Sequence, residues 1–420
     1  MNERYDVVVA GAGPAGAQCA RDLATRGYDV VVLETESEDE FPRQSNKSTA
    51  GTFHSMMAAF GIPDDVVMQY TDTVVLESPT DHYVKRHPGA VLEFADFKRY
   101  LVEDGREKGA EYRFDARATA PIMEGGEPVG VTYNGDEELY ADIVVDATGP
   151  AAPLAKKLGV SNLERENHAI GIEVELEGIE IDRPGFADLH DAMMLRLDHN
   201  IAPGGYSWIF HTGEDTAKVG LCYIQSGSHQ QHARDDFTVD DYLSYWLDTD
   251  PRFRNAERLE GKQHRGSAHI QPPGQMHTDR FMAIGDTVPT IDPVWGEGIH
   301  TCMKSGRMAA AAADSCLKHD GVEPTAENLS MYDSLWHKQV APNANKRLLM
   351  TQLLYLADND RYDKFMADLG RLDEETLAKA NNGNPLGIAK LLGAEDVPLL
   401  ARFAKRQLEG KLSLNGKLPL

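Results

Sequence analysis

The chain has 420 residues, with 42 Lys and Arg against 67 Asp and Glu, a formal charge of −25. That length allows two or three domains with a substantial core, while the acidity disfavours contact with nucleic acid or other polyanions. With 41% apolar and 26% charged residues the composition is globular, and no apolar run reaches the roughly 20 residues of a membrane-spanning helix. The opening residues have no signal-peptide layout, so a cytoplasmic location is expected. Acids cluster in surface-like runs such as Glu36–Glu40, a pattern expected of a protein adapted to a salty cytoplasm. Cys19, Cys222, Cys302 and Cys316 lie far apart, which excludes a four-cysteine iron–sulfur cluster of usual spacing and argues against a disulfide framework.

Tyr5–Ala10 is a β-branched run suited to a buried parallel strand. It turns into Gly11-Ala-Gly13-Pro14-Ala15-Gly16, then a helical stretch, then a second strand, Tyr28–Leu33, ending at Glu34. Three glycines between strand and helix, with an acid 18 positions after Gly16, form a dinucleotide-binding fingerprint. Gly11 makes the tight turn, Gly13 lets a pyrophosphate approach, Gly16 lets helix and strand pack, and Glu34 accepts ribose hydroxyls. The free amides of the helix N-terminus favour the phosphates.

Val91–Ala110 reads as a helix carrying Arg99. Ala141–Gly149 is a buried strand opening into Ala147-Thr148-Gly149. A further strand ends in Gly285-Asp286, followed by Pro-x-x-Gly296-Glu-Gly298-Ile299 and a helix of small residues. Taken in order over residues 1–340, this set resembles the FAD-binding oxidoreductases of the para-hydroxybenzoate hydroxylase type. The resemblance implies FAD as cofactor, with Glu34 on the adenosine ribose, Arg99 on the pyrophosphate, Asp286 on the ribityl chain, and Gly298–Ile299 at the isoalloxazine edge. It implies an α/β fold: a discontinuous Rossmann-type FAD-binding domain (1–60, 91–160, 270–340), an antiparallel β-sheet substrate domain (61–90, 161–269) and a C-terminal helical region (341–420).

Residues 165–225 alternate as strands do. Within them Pro203-Gly-Gly-Tyr206-Ser-Trp208-Ile-Phe210-His211 places three aromatics at period two, on one strand face. Such a face either lines a tunnel for an apolar substrate or fills core. This segment resembles the Tyr-x-Trp-x-Phe-Pro signature of the geranylgeranyl reductase family, whose FAD enzymes saturate isoprenoid double bonds. The resemblance implies that Tyr206, Trp208 and Phe210 line an isoprenoid pocket in an enzyme of archaeal-type ether-lipid biosynthesis. His211 replaces the closing proline. In Pro42–Gly51, Thr49 stands, after Ser48, where many members carry a flavin-proximal cysteine, so a thiol mechanism is not expected; Ser48 and Thr49 are expected beside the flavin instead. In the expected mechanism a hydride leaves reduced flavin for one alkene carbon and a proton reaches the other, with Tyr206 and His211, directly or through water, as candidate proton donors and Thr49 as a further catalytic candidate.

A flavin monooxygenase acting on an aromatic is the rival reading, and a flavin-bearing lipid carrier a non-enzymatic one. Cys222, His229 and His232 fit no zinc spacing, so no metal is expected. No second glycine fingerprint is evident, which points to ferredoxin as electron donor, with NAD(P)H the other candidate. The tail 397–420 holds five basic residues against Glu409 alone, interspersed with leucines, and is read as a peripheral membrane contact.

Overall fold

The computed structural model describes residues 3–43, 46, 48–161, 163–225, 230–319 and 321–408. The chain divides into two compact units, one of Met1–Asn46, Phe94–Glu164 and Ala268–Ala344, the other of Lys47–Glu93, Arg165–Ser267 and Asn345–Leu420.

The first unit is built on a sheet whose order runs His277–Thr278, Phe281–Ala283, Glu137–Asp146, Arg4–Ala10, Val30–Leu33, Glu111–Arg113. The four pairings from Phe281–Ala283 to Glu111–Arg113 are parallel. Val7–Val9, Val30–Val32 and Ile143–Val145 are fully buried, as strands covered on both faces require. The helices that pack here include Pro14–Thr25, Phe94–Glu107, Ile299–Leu317 and Ala326–Leu335. Val91 and Leu92, read from sequence as helical, belong to the strand His82–Leu92; the helix starts at Phe94.

The second unit carries a sheet ordered Glu257–His269, His168–Glu177, Thr216–Ile224, Gly205–Gly213, Ala192–Arg196, Val67–Glu77, His82–Leu92, Gly51–Phe53. From His168–Glu177 to Gly51–Phe53 its pairings are antiparallel except that of Ala192–Arg196 with Val67–Glu77, which is parallel. Residues 47–60, assigned from sequence to the first domain, fall in this unit because Gly51–Phe53 hydrogen-bonds alongside Gly89–Val91. One sheet face buries Ile172, Val174, Met194, Ile209, Val219 and Leu221 in a cluster with Tyr242, Leu243 and Trp246 of the helix Val239–Thr249. Beside it a buried ion network joins Arg252 to Glu77 (2.8 Å) and Asp250 (2.8 Å), and Arg196 to Glu77 (3.2 Å) and Asp198 (3.0 Å). The helices from 345 onward belong to this unit; Tyr362 of Asn359–Arg371 lies 3.2 Å from His199 Nε2.

Candidate functional site

The glycine turn of the first unit has the shape a dinucleotide needs. Gly11 has φ +104°, and a Cβ there would lie 2.5 Å from the carbonyl oxygen of Ala147. A Cβ on Gly16 would come within 2.0 Å of Gly11 O, so only glycine lets the helix start this close to the strand. At Gly13 a Cβ would meet nothing within 4 Å. The helix beyond begins with Pro14, has no side-chain cap and no acid in its first turn, so its amides are left for a ligand anion. Pro14 has no N–H to offer, and Ala15 packs near Gly285.

Glu34 follows the strand Val30–Leu33 and is buried; its Oε2 accepts from Ala12 N at 3.0 Å and its Oε1 from Glu36 N at 3.1 Å. The carboxylate is thus oriented by the backbone it serves. Thr148 is held by Asp146, which sequence reasoning missed. Asp146 accepts from Thr148 N (3.0 Å), Thr148 Oγ1 (2.6 Å), Leu154 N (3.1 Å) and Ala155 N (2.9 Å). Gly149 N donates to Thr287 Oγ1 at 3.0 Å, tying this turn to the Gly285–Thr287 turn. Asp286 accepts from the Cys302 thiol at 3.7 Å, and burial pushes its carboxyl up to about 6. Gly296 has φ +65° in a loop shaped by Asp292, whose Oδ1 accepts from Val294 N and Trp295 N; Gly298 and Ile299 begin a second helix without a side-chain cap or first-turn acid. An open approach at Gly13, two uncapped helix starts and oriented carboxylates at Glu34 and Asp286 fit FAD.

Arg99 lies on the open side of the helix Phe94–Glu107. It is about half exposed and pairs with Asp96 at 2.7 Å, whereas its neighbour Lys98 is buried over the Phe41 ring at 4.5 Å. Burial pushes the Lys98 ammonium down to about 8, against the pull of Glu34 and Glu36. The signal for Lys98 was in the sequence: it lies within the stripe Phe94, Phe97, Leu101, Gly105.

Ser48 and Thr49 lie in the second unit, where Ser48 Oγ accepts from Ala50 N at 3.1 Å. Tyr206, Trp208 and Phe210 share one face of the strand Gly205–Gly213, the one opposite Ile209; the Tyr206 and Trp208 rings are 5.8 Å apart. On this face Glu173, Gly220 and Trp208 stand in one cross-strand row. A Cβ on Gly220 would lie 2.4 Å from the indole, so the bare backbone gives Trp208 its path to Glu173, to which Nε1 donates at 2.9 Å. Thr49 Oγ1 donates to the same Glu173 oxygen. Glu173 was not singled out from sequence.

His211 is on the other face. Odd parity separates it from the three aromatics; Nδ1 accepts from Asp191 N at 3.1 Å and Nε2 faces Glu214 O at 3.0 Å. Both ring nitrogens hold local backbone, so His211 is a turn-fastening residue and not a proton donor to the aromatic face. Cys222 is on the aromatic side, burial pushing its thiol up to about 11; His229 lies outside the described residues, and His232 stacks on His199 at 4.1 Å. Among the described residues no helix is long and apolar enough to cross a membrane.

The family model for the FAD binding domain matches residues 4–318. The digeranylgeranylglycerophospholipid reductase of Haloferax volcanii is 65% identical over 405 residues, 96% of this chain and 99% of the relative. The chain belongs to the digeranylgeranylglycerophospholipid reductase family. It is an FAD-dependent oxidoreductase. Digeranylgeranylglycerophospholipid reductase 2 of Methanopyrus kandleri is 26% identical over 96% of the chain and 100% of the relative. Among solved structures, a geranylgeranyl bacteriochlorophyll reductase-like protein from Thermoplasma acidophilum superposes with a TM-score of 0.81 at 20% identity, covering 96% of this chain and 99% of that one. A flavin-dependent brominase matches with a TM-score of 0.70 at 20% identity, covering 97% and 98%; the digeranylgeranylglycerophospholipid reductase family thus shares its fold with enzymes of other chemistry.

Proposed function

We infer that this chain saturates carbon–carbon double bonds of geranylgeranyl chains on archaeal-type membrane ether lipids. The observation that carries the reading is the 65% identity, over nearly the whole of both chains, to a reductase named for that lipid. Bound FAD, when reduced, supplies the hydride. The protein's part is to hold the cofactor and orient an apolar chain. Gly11, Gly13, Gly16, Glu34 and Arg99 would hold the adenosine diphosphate portion; Thr148, Gly149 and Asp286 the ribityl region; and Gly296, Gly298 and Ile299 the ring edge.

An isoprenoid offers no polar handle, so its position must come from shape and from dry, rigid walls. Tyr206, Trp208 and Phe210 supply three ring faces in succession for that purpose. The helix Val397–Leu408 supports a peripheral contact with the lipid surface: Val397, Leu400 and Leu408 are exposed apolar groups, and Lys405 and Arg406 lie in its last turn. Residues 409–420 of that basic segment lie outside the described residues. Ferredoxin is the proposed electron donor.

The test is to reduce the yellow protein anaerobically, add digeranylgeranylglycerophospholipid, and weigh the product. Gains in steps of two hydrogens are expected. Unchanged lipid, or oxygen uptake stimulated by phenols in air, would refute the reading.

A further inference from the structure

We propose that Glu173 is the proton donor of the alkene reduction, its Oε1 giving a proton to the carbon that does not receive hydride. This rests on the reductase reading above. Glu173 lies in the strand His168–Glu177 and is 5% exposed, on the face that carries Tyr206, Trp208 and Phe210.

Its two oxygens are treated unequally. Oε2 receives both the Trp208 indole N–H, at 2.9 Å, and the Thr49 hydroxyl, whereas Oε1 is buried and has no hydrogen-bond partner. A buried carboxylate with one bare oxygen is costly, since the charge is shared by both atoms. A neutral carboxylic acid removes the charge: Oε2 acts as the carbonyl acceptor of two donors, and Oε1 carries a hydrogen that has no acceptor among the described residues.

The charged surroundings agree. Lys218 sits two residues from Gly220 on the adjacent strand, yet its ammonium donates to the carbonyls of Thr49 (3.2 Å) and Leu92 (3.0 Å). Among the described residues Glu173 forms no ion pair. Glu175, on its own strand, pairs instead with Lys262 at 3.5 Å. Burial raises the Glu173 carboxyl above its ordinary range, Lys218, Thr49 and Trp208 pull it down, and Glu175 adds to the rise. Among the described residues, Tyr206 and Cys222 share this face, and His264, Lys262 and Glu93 interact with Glu175 and Lys218.

The chemistry needs such a group. An isolated alkene has no carbonyl to accept charge, so the proton must come from an acid stronger than a phenol or a thiol raised to about 11. The hydride pair from reduced flavin forms one C–H bond as the π bond breaks. The π pair takes the proton from Oε1 to form the second C–H bond, the O–H pair stays on Glu173 as carboxylate, and water reprotonates it after product leaves. The hydride that bound, reduced FAD would supply carries both electrons of the reduction, so the proton from Glu173 completes the balance. The Thr49 and Trp208 donors are then already in place to stabilise the carboxylate, so both act as positioning residues.

The test compares wild type with Glu173→Gln, which keeps the side-chain shape and the acceptor for Trp208 and Thr49. Both should bind FAD and be bleached by dithionite. Single-turnover saturation of digeranylgeranylglycerophospholipid should fall about 10²-fold or more in E173Q. The infrared spectrum of flavin-free wild type at neutral pH should contain a protonated-carboxyl band missing from E173Q. The wild-type rate should fall with rising pH, about tenfold per unit above the carboxyl pKa, since only the acid form donates. E173Q turnover within about threefold of wild type, identical infrared spectra, or a wild-type rate that does not fall at any alkaline pH the fold withstands would each overturn the proposal while leaving the reductase reading intact. Wild type that never saturates the lipid would overturn that reading itself, and the proposal with it. If E173Q does not fold, the wild-type pH profile still decides.

Discussion

Gly13 and Gly16 stand three positions apart and have opposite reasons to be glycine. A methyl group at Gly16 would lie 2.0 Å from Gly11 O, a clash with backbone that cannot turn aside. Gly16→Ala should therefore destabilise the flavin-free protein by about 1–3 kcal/mol, seen as a lower melting temperature. Gly13→Ala meets nothing within 4 Å, so the flavin-free protein should melt as wild type does while FAD binding, followed by flavin fluorescence, weakens tenfold or more. Asp286 carries a pH prediction. Its folded-state pKa is raised to about 6 from 3.8, so the folded form holds the proton more tightly than the unfolded chain. Its contribution to stability is full below about pH 4 and is lost as pH rises through about 6. Asp286→Asn, which does not titrate, should gain stability relative to wild type across that window, measured by urea unfolding without flavin; parallel profiles would contradict the burial argument. These residues were legible in the sequence because their constraints are local. Glu173 was not: in Ile170-Gly-Ile-Glu-Val-Glu-Leu it reads as the solvent face of a half-buried strand, and only tertiary structure buries that face.

At the scale of elements, strand parity decides more than composition. The period of two placed Tyr206, Trp208 and Phe210 on one face correctly, and the same arithmetic sends His211 to the other. On helices the period is 3.6, which separates buried Lys98 from exposed Arg99 although they are adjacent. The strands ending at Ala10 and Leu33, the one before Thr148, those within residues 165–225 and the glycine-loop helix were readable from periodicity. The start of the second unit at Lys47 was not, because the short strand Gly51–Phe53 owes its existence to the partner strand His82–Leu92. Within the sheet, Gly220 is the bare lane between Trp208 and Glu173. A Cβ there would lie 2.4 Å from the indole and 2.5 Å from Ile172 O. Gly220→Ala should cost about 1–3 kcal/mol and shift Trp208 off Glu173, read as a changed tryptophan emission spectrum together with a lower unfolding midpoint. An unchanged midpoint and spectrum would show that the sheet adapts.

At the scale of the whole molecule, the charge of −25 sets the conditions of work. Raising salt from about 0.1 M to 1 M shortens the screening length from about 10 Å to 3 Å, which relieves self-repulsion over the acidic surface. The 65% identical relative comes from the halophile Haloferax volcanii. The melting temperature should thus climb with KCl, and a flat profile would make the acidity an ordinary solvated surface. Reoxidation of the flavin by the lipid can be followed directly. Flavin on the protein is bleached by a stoichiometric reductant under argon, digeranylgeranylglycerophospholipid is added, and the absorbance is followed without oxygen. The yellow colour should return, with one double bond lost for each flavin reoxidised. Protein that stays bleached until air is admitted would contradict it.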